Sequence, residues 1–276
     1  MHAHFDAAVL GRTGIHVNRL GLSTSYFPGK KSVRYALDNG VNFFFGYGWD
    51  VQMTHALRDE FRTRRHDLVV ATGAYNLIWG HTNLRKSLEK RLKQLRTDYL
   101  DVFLFLGVLK RKQYHDDLTE EMIRFREEGK VRAIGLSCHD RKLLGELADR
   151  GDVDVLMLRY NAAHRGAEQD IFPHLQPHDL GTISYTATRW RYLMRRPKAW
   201  PKEQRIPTAG MCYRFVLSNE HVDVCLTAPM NLKQLKENMA AVAEGPLTGE
   251  DMQFMREFGD VVHGGSRMLR WDEKWS

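Results

Sequence analysis

Eight short runs rich in Val, Ile, Leu and Phe are spaced along this chain, and each gives way to a polar or amphipathic stretch before the next begins. The runs are Arg19 to Thr24, Val41 to Phe45, Leu68 to Thr72, Leu100 to Leu106, Val131 to Cys138, Val153 to Arg159, Gly181 to Tyr185 and Val222 to Thr227. Near-continuous apolar runs of this length suit parallel strands that are covered on both faces. Between them, apolar residues recur at three- and four-residue spacing, as in Leu84, Leu88, Leu92 and Leu95, in Met122 with Phe125, and in Leu143 and Leu144 with Leu147. Eight strands, each followed by a helix, predict an α/β chain closed into a (β/α)8 TIM barrel. An open doubly wound sheet is the alternative, but no Gly-rich dinucleotide fingerprint follows the first run. The 276 residues suit one barrel domain, 1–276, with no linker and no internal repeat.

Ahead of the first run, Val9-Leu-Gly-Arg-Thr-Gly-Ile-His-Val17 carries turn-prone residues between apolar ones. It predicts an N-terminal β-hairpin that closes the barrel floor. Asn231 to Glu244 and Thr248 to Phe258 read as extra C-terminal helices. Met194 to Arg205 is Pro-rich, basic and irregular, and is the expected mobile loop.

Hydrophobic residues at 43% and charged residues at 27% are ordinary for a globular protein. No apolar run approaches the roughly 20 residues of a membrane span, so no membrane partner is expected. The N-terminal residues lack the pattern of a signal peptide. Cys138, Cys212 and Cys225 form no close pair, which suits a reducing cytoplasm. Much of the net charge of +7 lies in Arg85 to Arg96 and Arg189 to Arg205. These stretches read as solvated faces, without the docking architecture that nucleic-acid binding requires. The 13 His residues do not fall at metal-ligand spacing with Asp or Glu. His174 and His178 are four apart, yet Pro173 and Pro177 break the helix that would bring them together.

Barrel active sites lie at the C-terminal ends of the strands. Polar and aromatic residues cluster at those ends: Tyr47, Trp49 and Asp50; Tyr75, Asn76, Trp79 and His81; Cys138 and His139; Arg159 and Asn161. Asp50 reads as a general base or as the N-cap of a helix beginning near Val51, with the cap favoured. Cys138 and His139 are adjacent on a strand and so point to opposite faces, which makes a buried, inert thiol the better reading. Asp140 is the better cap of the helix that follows. Arg159 reads as an anion ligand or as one half of an ion pair. The aromatics read as a stacking pocket or as rim packing.

Several stretches resemble the aldo-keto reductase superfamily in order and spacing. Leu10-Gly-Arg-Thr-Gly-Ile-His-Val-Asn-Arg-Leu-Gly-Leu22 is similar to the family opening, and Gly129-Lys-Val-Arg-Ala-Ile-Gly-Leu-Ser137 to "G-K-V-R-A-I-G-V-S-N". Arg159-Tyr-Asn161 followed by Arg165 and Glu168 resembles "Y-N-x-x-x-R-x-x-E", and Asn231-Leu-Lys-Gln-Leu-Lys-Glu-Asn238 resembles the adenosine-side "N-x-x-Q-L-x-E-N". The departures fall on the chemistry. Gly40-Val-Asn-Phe-Phe-Phe45 ends in Phe45 where the family has its Asp. Asp67-Leu-Val-Val-Ala-Thr-Gly73 ends in Gly73 in place of the catalytic Lys, and Leu106 replaces the catalytic His. The family Tyr aligns with Asp50 without gaps, or with Tyr47 if the loop is shorter.

The resemblance implies NADP or NAD as cofactor. It would place Ser137 and Tyr185 at the nicotinamide, Arg189 and Arg191 at the phosphates, and Asn231, Gln234 and Asn238 at the adenosine. Cys138 and Met157 replace the carboxamide-gripping Asn and Gln, and Met230 stands where a 2′-phosphate cation is common, with Lys233 nearby. If the chain is catalytic, Tyr47 is the expected proton donor, followed by Asp50 and then His139. The two readings are an atypical oxidoreductase acting on a small molecule and a non-catalytic pseudoenzyme that binds a cofactor or ligand.

Overall fold

A computed structural model describes residues 7–75 and 83–265. A hairpin of β1 (Ala8–Val9) and β2 (His16–Val17) comes first. The following strands are β3 (Leu20–Ser23), β4 (Phe43–Phe45), β5 (Val69–Tyr75), β6 (Leu100–Val108), β7 (Val131–Cys138), β8 (Val155–Arg159), β9 (Gly181–Tyr185) and β10 (Val224–Thr227). They run parallel in chain order, and β10 closes on β3. The helices are α1 (Lys30–Asp38), α2 (Val51–Arg64), α3 (Leu84–Leu95), α4 (Asp116–Glu127), α5 (Arg141–Ala148), α6 (Ala167–Asp170), α7 (Ala209–Leu217), α8 (Leu232–Ala243) and α9 (Gly249–Gly264).

Strand alternation divides the apolar residues into two cores. Phe43 and Phe45 face the barrel interior with Val69, Ala71, Leu104 and Ile183. Phe44 faces outward with Val70, Phe103 and Leu136, against the helices. Leu10, Ile15 and Val17 of the hairpin region join the inner core, so this segment plugs one end. Gly11 makes that plug possible: its φ is +46°, and a Cβ there would lie 2.2 Å from the Gly181 nitrogen.

Three buried or half-buried carboxylates tie neighbouring strands together at the same end. Val70 N–H donates to Asp101 (2.9 Å), Ile134 N–H to Asp154 (3.0 Å) and Thr182 N–H to Asp223 (2.8 Å). Each Asp belongs to the strand that follows its donor, or to the residues just before that strand. Arg65 and Arg132 flank Asp101, and Arg12 and Arg126 flank Asp154. With the floor fixed in this way, the opposite end is left to the βα loops.

After β8, a one-turn α6 and short 3-10 turns at Phe172–His174 and Gln176–His178 take the place of a long helix, as Pro173 and Pro177 require. One sequence expectation changes here. The segment Met194 to Arg205 is anchored: Trp200 is buried, packs edge-on against Phe258 at 4.9 Å, and donates to the Arg205 carbonyl at 2.9 Å.

Candidate active site

At the C-terminal end of the barrel lies a cavity of about 380 Å3. Tyr47, Tyr75, Ser137, His139, Met157 and Tyr185 form its base and inner wall. The inward parity of each strand puts them there, directly above the inner core.

Tyr47 follows β4. Its ring stands edge-on over Phe45 (5.0 Å between centroids, 86°) and stacks on Trp49 (4.7 Å, 12°). Tyr75, the last residue of β5, lies 5.4 Å from Tyr47, and the two phenols share a hydrogen bond. Burial, and then the neighbouring Tyr47, raise the Tyr75 pKa, so that phenol stays protonated at physiological pH. Across the cavity, the Tyr185 hydroxyl meets the Ser137 side chain and lies 3.5 Å from His139 Nδ1. Burial pushes the Tyr185 pKa up to about 12, with Arg159 opposing that rise.

Phe45 is fully buried beneath Tyr47, and Leu106 lines the cavity. Gly73 lies one inward position below Tyr75. A Cβ on Gly73 would sit 2.1 Å from the Leu104 carbonyl oxygen and 2.9 Å from Leu106 Cγ. The strand pairing therefore requires glycine there. Among the described residues of the wall there is no Asp, Glu, Lys or Arg.

Asp50 is corrected as a catalytic candidate. Its carboxylate accepts from Met53 N–H at 2.8 Å and caps α2, and it does not line the cavity. Asp140 caps α5 in the same way. Arg189 is likewise removed from the phosphate candidates: it is buried and donates to the Val262 carbonyl of α9 at 2.9 Å. Arg191 is exposed, in a loop where Thr186, Arg189, Trp190 and Arg191 all have positive φ. Asn231 caps α8 by accepting from Gln234 N–H, and Gln234 Oε1 accepts from Met230 N–H. Asn238 is buried and donates to Thr227 Oγ1 at 3.0 Å. Each of these three thus has a structural role within α8 or between α8 and β10.

Cys138 is buried, and burial raises its pKa to about 12, so it is a poor nucleophile. Asn161 accepts from the N–H groups of Ala163 and His164 and donates to the Thr186 carbonyl, which holds the loop after β9. The Tyr160 hydroxyl donates to Glu168, which pairs with Arg256 and clasps α9 to the barrel. Asn76, Trp79 and His81 lie outside the described residues.

The sequence reading missed Ser23, Ser25 and Tyr26, and Tyr213. The Ser23–Tyr26 group had a signal, since it directly follows the first barrel strand. Tyr213 sits on α7 and had none. Among the described residues, no group of three His, Cys, Asp or Glu side chains could hold a metal ion.

Comparison with known proteins agrees with this architecture. The chain is 25% identical to L-galactose dehydrogenase of Arabidopsis thaliana, over 93% of this chain and 94% of that protein. It is 24% identical to the oxidoreductase YrpG of Bacillus subtilis, over 92% and 95%. Among solved structures, it superposes on the holo form of aldo-keto reductase AKR11C1 from Bacillus halodurans with a TM-score of 0.77 at 20% identity, covering 92% and 96% of the two chains. An aldo/keto reductase from Klebsiella pneumoniae, in complex with NADP and acetate, gives 0.73 at 21% identity, covering 92% and 95%. Residues 24–196 match the sequence profile of the aldo/keto reductase family, and with a closed eight-stranded barrel around a pocket at its C-terminal mouth, this chain belongs to that family.

Proposed function

We propose that this protein is a nicotinamide-dependent oxidoreductase for small, uncharged, hydroxylated carbonyl compounds or the matching alcohols, with Tyr47 as the proton donor. The observation that carries this reading is the convergence of Tyr47, Tyr75, Ser137, His139 and Tyr185 on one cavity. A cofactor bound here would supply or accept hydride. Tyr185 would present its ring to the nicotinamide, Gln234 and Asn238 would face the adenine, and Arg191 would meet phosphate. The wall fits such a group, because no carboxylate among its described residues would repel a diphosphate. The carboxamide grip is weaker than the family's: Met157 offers no amide, and Ser137 already bonds Tyr185.

Tyr47 is held between Phe45 and Trp49, which fixes its ring, and Tyr75 orients its hydroxyl. The absence of charge from the described wall, and its hydroxyls at Ser23, Ser25 and Thr188, favour a neutral, hydroxyl-bearing substrate. L-galactose dehydrogenase, one of the relatives, is named for such a compound. The three buried, free cysteines suit a reducing, cytoplasmic setting.

Titration with NADPH and NADH, followed by a turnover screen of neutral and charged carbonyls and sugars, tests the reading. Met230 is 56% exposed and offers no cation, so the two cofactors should bind with similar affinity. A hundredfold preference, about 2.7 kcal/mol, would contradict that. A second reading, a ligand-binding pseudoenzyme, is supported by Phe45, Gly73 and Leu106 at the inward positions. Tight binding without turnover of any substrate would favour it.

A further inference from the structure

Away from the cavity, a groove of about 410 Å3 runs along α2, walled by Lys30, His55, Arg58, Phe61, Arg62 and Arg96. Its one acid, Asp59, faces Arg34 at 3.9 Å. Elsewhere Arg85, Arg126, Lys130, Arg132, Arg150 and Arg214 are each paired with carboxylates. Among the described residues, Lys30, Arg58, Arg62 and Arg96 make no such pair. Val51, His55, Arg58 and Arg62 fall within about 60° of one another around α2, a single stripe on its outer side.

One end of this stripe is apolar. Phe27 is 60% exposed, Val51 60% and Trp49 58%. Lys30 N–H donates to Gln52 Oε1 at 2.6 Å, which ties the segment carrying Phe27 to the first turn of α2. Phe27 is held at φ +50°, a conformation that side chains larger than Asn rarely adopt.

We infer that the α1–α2 face docks on an anionic phospholipid surface, with Lys30, Arg58, Arg62 and Arg96 at the headgroup phosphates and Phe27, Trp49 and Val51 at the interface. Cations beside a negatively charged leaflet and aromatic side chains at headgroup depth are the two attractions such a surface offers. A nucleic acid or an acidic peptide would satisfy the cations but leave Val51 and Phe27 in water. Because Trp49 stacks on Tyr47, docking this face would bring the cavity mouth close to the membrane.

The test is co-sedimentation of the full chain with vesicles of phosphatidylcholine alone, or with about 30% phosphatidylserine, at about 0.1 M salt. Partitioning onto the anionic vesicles should be about tenfold stronger or more, and should weaken at about 0.5 M salt. The combined variant Lys30→Gln, Arg58→Gln, Arg62→Gln should abolish it. Trp49→Ala and Val51→Ser should each weaken it several-fold with no change of charge. A control with the same charge removed elsewhere, Lys112→Gln, Lys198→Gln, Lys202→Gln, should retain it. If the combined variant unfolds, Arg96→Gln alone takes its place. Equal binding to both vesicle types, or equal loss in the control variant, would overturn the proposal. So would stabilisation by inorganic pyrophosphate, or binding of single-stranded RNA, without vesicle binding.

Discussion

Tyr47 and Gly73 show how much a single position decides. The phenol of Tyr47 was readable because it follows the second apolar run, where barrel active sites are built. Its partners were not readable, since the stack on Trp49 and the bond to Tyr75 depend on loop geometry. The reverse holds at Gly73. The sequence shows that a lysine is absent, and only the fold shows that a side chain there would strike the Leu104 carbonyl. Gly73→Ala should therefore destabilise the protein by roughly 2 kcal/mol or more, measured by chemical denaturation. A neutral result would mean that β5 and β6 can separate at that point. Phe45→Asp should be costlier still, because it places a carboxylate in the inner apolar core beneath Tyr47. Neither substitution should restore ordinary aldehyde reduction.

At the level of elements, the strands and most helices were legible because each buries a continuous face and is started by a strong cap. Asn83, Thr208 and Thr248 cap α3, α7 and α9 as Asp50 caps α2. Asp50 illustrates the limit: the residue that best begins a helix also looks like a general base until its carboxylate is found on Met53 N–H. Arg189 was misread because a loop rich in positive φ turned it toward α9, which no local pattern signals. The floor carboxylates were not legible as a set, because each acts across a strand boundary. Asp154→Ala should cost roughly 1–3 kcal/mol, chiefly because it leaves the buried Ile134 N–H without an acceptor, while the half-exposed Arg12 and Arg126 can turn to water or backbone carbonyls. The segment around Trp200 looked mobile from its prolines, yet the indole is buried. Trp200→Ala should lower stability by about 3 kcal/mol and open that segment to limited proteolysis.

Across the whole molecule, stability should depend on pH through two buried groups of opposite sign. His164 is buried near Arg159, Arg189, His263 and Arg141; burial, and then these cations, hold its pKa down to about 2. A folded-state pKa below the unfolded value near 6.5 means that its contribution is complete above pH 6.5 and is lost as pH falls below it. Asp223 has its pKa raised to about 6, chiefly by burial, so its contribution is complete below about 4 and is lost as pH rises through 6. Between about pH 4 and 6 the two contributions offset one another in the parent, so thermal denaturation should show His164→Asn losing stability more steeply than the parent as pH rises through that window, and Asp223→Asn losing it more steeply as pH falls through it. Parallel curves for parent and variants would show that neither group carries the dependence. In the proposed function, proton transfer runs through Tyr47 above an inner wall in which Phe45, Gly73 and Leu106 carry no charge. The most direct test is NADPH or NADH oxidation by the parent protein and by Tyr47→Phe, across a panel of neutral hydroxylated carbonyls. The parent should turn over, and the variant should lose about a hundredfold or more in kcat with cofactor affinity unchanged. Equal turnover by the two proteins, or robust reduction of simple aldehydes by both, would contradict this role of Tyr47.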